Sequence, residues 1–180
     1  MTGFRRYTVW WFMIAGQFVP GTVWSDGAVP VGYRSVATER GIPYTLLYAV
    51  ALTESGKQVV STQGYRPWPW TLNVAGRGYF FDSRLAAWQA LTDWLEQGKR
   101  SIDIGLMQVN WRYHQERLGT PWQALDPYFN LRVGAAILQD CYITRQDWWA
   151  SVGCYHSPND LQRADRYRRR VITRWQRVMG

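Results

Sequence analysis

The sequence predicts a mainly α (α+β) fold with one small β element. Three observations predict it. Most of the chain after residue 30 divides into helical blocks closed by Gly or opened by Pro, Ser or Asp. One Gly-rich turn lies between aromatic and β-branched runs. The 180 residues are 47% hydrophobic and 19% charged with 12 Trp and 11 Tyr, which fits one compact core and excludes a disordered chain.

Residues 1–25 are built differently from the rest. Arg5 and Arg6 precede the apolar run from Val9 to Ala15, and Phe18-Val19 then reaches the breaker pair Pro20-Gly21. That order, a basic start, a short apolar run and a small-residue exit, is the pattern of a secretory signal peptide. Cleavage fits before Asp26 or after Ala28. The alternative is an uncleaved inner-membrane anchor, for which the run is short of the roughly 20 residues a span needs. No other segment has the length and apolarity to cross a bilayer, so no stable span is expected after cleavage, and residues 26–180 form the exported domain.

The helices follow in order. Tyr33 to Arg40 is a short one, and Pro43 opens a second from Tyr44 to Glu54, apolar almost all round and closed by Gly56. A polar loop comes next. Trp68 to Val74 and Tyr79 to Phe81 then flank the Ala75-Gly76-Arg77-Gly78 turn as a hairpin. Ser83 caps a helix whose stripe is Leu85, Trp88, Leu91 and Leu95, ended by Gly98. Ser101 to Asn110 is extended or looped. Helices are expected near 111–118, 121–125, 128–142, 148–155 and 160–178.

The unusual chemical feature is Glu54, a carboxylate at the end of an apolar helix. Burial there disfavours its charged form and raises its pKa toward the range of a general acid at neutral pH. Against this stands the ordinary fate of a helix-terminal Glu, solvation or pairing with a nearby Arg. Export makes Cys141 and Cys154 candidates for a disulfide, where a cytosolic pair would be two reduced core residues. Two cysteines and the two histidines, His114 and His156, do not stand at metal-ligand spacing, so no metal site is expected.

Read together, Glu54-Ser55, Gly105-Leu106-Met107-Gln108-Val109-Asn110, Tyr155 and Tyr167 resemble the lytic transglycosylases of the soluble-lytic-transglycosylase type, which have a goose-lysozyme-like fold. The chain is especially similar to the small exported members that accompany conjugation and secretion machines. The resemblance implies a lysozyme-like helical domain with periplasmic location. It implies Glu54 as the catalytic acid and Ser55, Leu106, Met107, Gln108, Asn110, Tyr155, His156 and Tyr167 as substrate-binding residues. It also implies peptidoglycan strands as the partner, a conjugation or secretion apparatus as the assembly served, and no cofactor. His156 stands where that family usually has Asn. Glu54 and Gly105 lie 51 positions apart, more than twice the usual stretch, which marks an insertion at about 63–99 carrying the hairpin and the Ser83 helix. This insertion is expected to extend the cleft wall, relatives folding without it.

A sugar groove needs aromatic faces with amide and hydroxyl partners. Gln108 and Asn110 supply amides, Tyr155, Tyr167, Trp68 and Trp70 supply rings, and Met107 supplies a soft apolar wall. Glycosidases of the ordinary kind use two carboxylates, and Asp103 is the one acid adjoining the motifs. The resemblance implies a one-carboxylate scheme instead, in which Glu54 cleaves the β-1,4 bond after N-acetylmuramic acid and a 1,6-anhydro ring closes without water. Two alternatives stay open: a lysozyme-like hydrolase assisted by Asp103, and a non-catalytic peptidoglycan-binding assembly subunit. The arginines at 163, 166, 168, 169, 170, 174 and 177, in a chain of net charge +8, read as a solvated helix face or as attraction to acidic envelope groups. No nucleic-acid partner is expected.

Overall fold

The computed structural model describes residues 29–59 and 64–180, so the expected signal segment lies outside the described residues. α1 (Val31–Arg40) ends at Gly41, whose φ of 65° returns its N–H to Thr38 O. α2 (Tyr44–Ser55) starts one residue later than a Pro at its first position would give, with Pro43 as the flanking residue. Leu46 to Leu52 are buried without interruption, so α2 is the central helix, and it packs against α8 and α1. Each of its large apolar side chains contributes roughly 1.5–3 kcal/mol by leaving water.

The polar loop after α2 is in fact a two-stranded hairpin. β1 (Gly56–Val59) runs antiparallel to β2 (Gly64–Pro67), with Gly56 opposite Pro67. Its pairing depends on contacts that local propensity does not record. The Tyr65 ring lies where a side chain at Gly56 would be, and the Arg174 guanidinium sits 4.3 Å over that ring.

The second sheet has the order β4-β3-β5-β6, all antiparallel neighbours. It comprises β3 (Thr71–Val74), β4 (Arg77–Phe80), β5 (Ile102–Ile104) and β6 (Val109–Asn110). Leu72, Val74, Ile102, Ile104 and Val109 point into the core. Successive strand side chains alternate between faces, so the residues between them point the other way. Register therefore lines up Asn73, Asp103 and Asn110 across three strands.

α3 (Arg84–Glu96) is capped by Ser83, whose Oγ accepts from Ala86 N. Its inner stripe differs from the expected one. Ala87 and Leu91 are buried while Leu85 is 53% exposed. A small residue at 87 lets the helix approach β3 and α5 closely, which turns Leu85 outward. The insertion is thus woven into the fold: β3 pairs with β5, and Leu91 belongs to the common core.

α4 (Trp111–Leu118), α5 (Pro121–Ala124), α6 (Pro127–Arg145), α7 (Trp148–His156) and α8 (Leu161–Met179) complete the chain. Asn110, Thr120, Asp126, Asp147 and Asp160 cap them in turn through side-chain oxygens. Cys141 of α6 and Cys154 of α7 are joined by a disulfide, their Cα atoms 5.9 Å apart. Among the described residues no helix is long and apolar enough to cross a membrane.

Candidate active site

A cleft of about 920 Å³ lies between the strand row and helices α6 to α8. Glu54, at the last turn of α2, opens on it with only 13% of its side chain exposed. Burial is the main reason its pKa is raised from 4.5 to about 7. The Asp103 carboxylate raises it further, while Tyr167 and Arg170 oppose the rise. A carboxyl in this range holds a proton near neutral pH and can give it up, as a general acid must.

The surroundings of Glu54 are built from three directions. From α7, His156 brings Nδ1 to 4.0 Å from Glu54 Oε1. Burial, then Arg163 and Arg170, lower the His156 pKa, so at neutral pH the ring is uncharged and this contact is not an ion pair. From α8, Tyr167 stacks flat on His156, ring centroids 4.3 Å apart and planes within 4°. Its hydroxyl is buried and has no hydrogen-bond partner of normal geometry among the described residues, though it stands near enough to Glu54 to favour the carboxylate. From β5, Asp103 points into the cleft and accepts a 2.7 Å bond from Asn110 Nδ2. Burial raises the Asp103 pKa while that bond lowers it.

The Gly105–Asn110 segment is held in place by side chains from around it. Ser55 Oγ donates to Leu106 O at 2.8 Å, tying the end of α2 to the segment. Asn130 of α6 accepts from Met107 N and donates to Ile104 O and Ala124 O at 2.9 to 3.1 Å. Gly105 is required here twice over: its φ is 78°, and a Cβ would lie 2.5 Å from the Asn130 amide carbon. Gln108 has a φ of 45°, a left-handed conformation that costs a non-Gly residue free energy. Its Nε2 bonds to Thr71 O and Gly105 O hold it there. Tyr155 closes the frame by donating its hydroxyl to Met107 O at 2.6 Å.

The expected site residues therefore divide. Glu54, Gln108, Asn110, Tyr155 and His156 line the cleft. Ser55, Leu106 and Met107 do not face it. Ser55 and Met107 are at most 1% exposed, Leu106 is buried, and Met107 packs against the α6 backbone where Gly134 leaves room. Met107 is therefore not an apolar wall for sugar. Tyr167 lies beneath His156, 2% exposed, and reaches Glu54 from below. Trp68 and Trp70 pack edge to face on each other, centroids 5.6 Å apart, away from the cleft.

Sequence reasoning missed Asn73, Tyr113 and Arg170 as cleft residues. Period-2 alternation between Leu72 and Val74 was the available signal for Asn73. Tyr113, 72% exposed beside Asn110, offers an aromatic face. Among the described residues no group of three or more His, Cys, Asp and Glu stands where it could hold a metal ion.

A nearly enclosed carboxyl with a raised pKa thus stands at the end of a buried helix, on a groove lined by amides and rings. The chain matches the model of the Transglycosylase SLT domain over residues 33–174 and belongs to that family. It is a lytic transglycosylase, a lyase that acts on peptidoglycan. No curated protein and no solved structure matches the chain.

Proposed function

We propose that Glu54 is both acid and base in a one-carboxylate cleavage of the β-1,4 bond between N-acetylmuramic acid and N-acetylglucosamine. Glu54 first gives its proton to the glycosidic oxygen, and the departing sugar leaves as an alcohol. The muramoyl N-acetyl oxygen stabilises the anomeric centre from within the substrate. The Glu54 carboxylate then takes the proton of the muramoyl C6 hydroxyl, whose oxygen attacks the anomeric carbon and closes the 1,6-anhydro ring. Glu54 ends protonated, ready for the next bond. A positioned hydroxyl outcompetes water because effective molarities of such groups reach on the order of 10⁵ M.

The observation that carries this reading is the Glu54 carboxyl, nearly enclosed yet open to the cleft, with a pKa of about 7. Glu54→Gln keeps size and polarity but removes the acid and the base together. Release of fragments from purified sacculi is expected to fall well beyond the 10²–10⁴ of a single proton transfer, with an unchanged far-ultraviolet circular dichroism spectrum. Full activity in that variant would remove Glu54 from the mechanism.

The hydrolase reading is favoured by one observation alone: Asp103 lines the same cleft as Glu54, and its carboxylate raises the Glu54 pKa. Asp103 would then activate a water, and the product would carry a reducible end. We also propose that residues 1–25 export the protein to the periplasm, as their basic-then-apolar order suggests. There it would open the wall locally for a conjugation or secretion apparatus, an assignment supported by the sequence resemblance. Finding the protein uncleaved and cytoplasmic after fractionation would overturn the export assignment.

A further inference from the structure

Asp103 is an acid in the cleft that the one-carboxylate scheme leaves unused. Ile102 and Ile104 on either side of it are fully buried, so alternation along β5 turns Asp103 to the opposite face. There it is half-buried and lines the cleft that holds Glu54. Its neighbours across the sheet are uncharged amides, Asn73 on β3 and Asn110 on β6. The third acid lining the cleft, Asp160, is exposed, and its Oδ1 is spent on capping α8. Asp103 is therefore the fixed negative charge of the strand wall.

That charge is held in one place. Asp103 accepts a 2.7 Å bond from Asn110 Nδ2. Asn110 is itself anchored as the cap of α4, where its Oδ1 accepts from Arg112 N. The amide donor favours the carboxylate, against the burial that opposes it. Both Glu54 and Tyr155 feel the Asp103 charge. The positive groups of the cleft stand on α8. Arg170 lies 5.9 Å over the Tyr167 ring and Arg163 acts on His156, which is uncharged at neutral pH. The field thus runs across the cleft, from the helix wall to the strand wall.

Breaking a glycosidic bond builds positive charge on the sugar ring. A carboxylate fixed beforehand in a half-buried site stabilises that charge without having to reorganise during the reaction. Glu54 gives and takes the proton in the scheme proposed above, so no proton remains for Asp103 to move. We propose that Asp103 is the charge-stabilising residue of the cleavage, remaining a carboxylate throughout and stabilising the cationic sugar while Glu54 alone transfers protons. This inference rests on the reading of Glu54 as acid and base, and it gives Asp103 a role different from activating water.

The test is the pH profile of kcat on soluble peptidoglycan strands for the parent, Asp103→Asn and Asp103→Glu. Both variants keep an oxygen that can accept from Asn110 Nδ2, and thermal unfolding checks that each is folded. With Asp103→Asn the loss of a negative charge should lower the Glu54 pKa, so the high-pH limb should move to lower pH. The plateau on the acid side of that limb, where Glu54 is fully protonated, should fall about a hundredfold. Asp103→Glu keeps the charge and moves it by one methylene, so it should retain more activity than Asp103→Asn. Products from all three should keep 1,6-anhydro ends.

A shifted limb with an unchanged plateau would overturn the proposal, because Asp103 would then act on Glu54 and not on the sugar. So would an unchanged profile, or Asp103→Glu falling below Asp103→Asn. Reducible ends from the parent that vanish in Asp103→Asn would also overturn it, since Asp103 would then be a base for water. The Glu54 reading is scored separately through Glu54→Gln. An inactive Glu54→Gln beside an unaffected Asp103→Asn removes this inference alone, and an active Glu54→Gln removes the scheme on which it rests.

Discussion

Asn130 offers the sharpest test of how the site is held. Its side chain is 1% exposed and makes three hydrogen bonds to backbone groups, Met107 N, Ile104 O and Ala124 O. Asn130→Ala strands all three and opens a cavity beside Gly105. A buried group left without a partner costs about 1–3 kcal/mol, and carbonyls with a second lone pair or reached by water sit at the low end. A loss of about 3 kcal/mol follows, a large share of the 5–15 kcal/mol that holds a typical domain together. For a domain of this size that lowers Tm by roughly 6–12 °C. Urea unfolding at pH 7 measures it. The Gly105–Asn110 segment should also loosen, so sacculus cleavage per folded molecule should fall even at temperatures where the variant remains folded. A loss below 1 kcal/mol with full cleavage activity would refute the argument that this one side chain fixes the segment.

The raised pKa of Glu54 also sets a pH dependence of stability. The folded value of about 7 exceeds the reference 4.5, so the favourable protonated state is complete below 4.5 and is lost as pH rises through 7. A difference of that size is worth up to about 3 kcal/mol. Glu54→Gln should therefore be more stable than the parent at pH 8 and nearly equal to it at pH 4, by urea unfolding; equal stability at both would mean the carboxyl is not buried as described. Tyr167→Phe removes the hydroxyl that favours the Glu54 carboxylate, so the Glu54 pKa should rise and the high-pH limb of the cleavage rate should move upward, while Tm should change little because no hydrogen bond of normal geometry is lost. A large fall in Tm would show that the hydroxyl is bonded in solution. Cys141→Ser with Cys154→Ser should cost on the order of 3 kcal/mol for a loop of 13 residues, read by thermal unfolding with and without reductant. No difference between the two conditions for the parent protein would mean that the thiols are free.

Much of the fold was legible because its punctuation is local. Ser83 caps α3 as expected, and α4 spans the expected residues 111–118. What escaped depends on distant partners. β1 and β2 are strands because Tyr65 packs on Gly56 and Arg174, not because their sequences alternate. The inner face of α3 follows Ala87 rather than Leu85, since proximity to β3 outweighs side-chain size. The carboxyl of Glu54 announced itself through the apolar helix before it. Leu106 and Met107 did not reveal that they face inward, because a motif fixes which residues recur and not which way each side chain turns. Asn130 carried no sequence signal at all. Its role arises only when α6 crosses the turn after β5.

The most direct test of the central claim is the chemistry of the cut end. Muropeptides released from sacculi by the protein, analysed by mass spectrometry before and after borohydride, should carry 1,6-anhydro-muramic ends. They should be lighter by one water than the hydrolysed form and resistant to reduction, and the Glu54→Gln protein should release none. Reducible ends would show that water is the acceptor and would contradict the one-carboxylate account of Glu54.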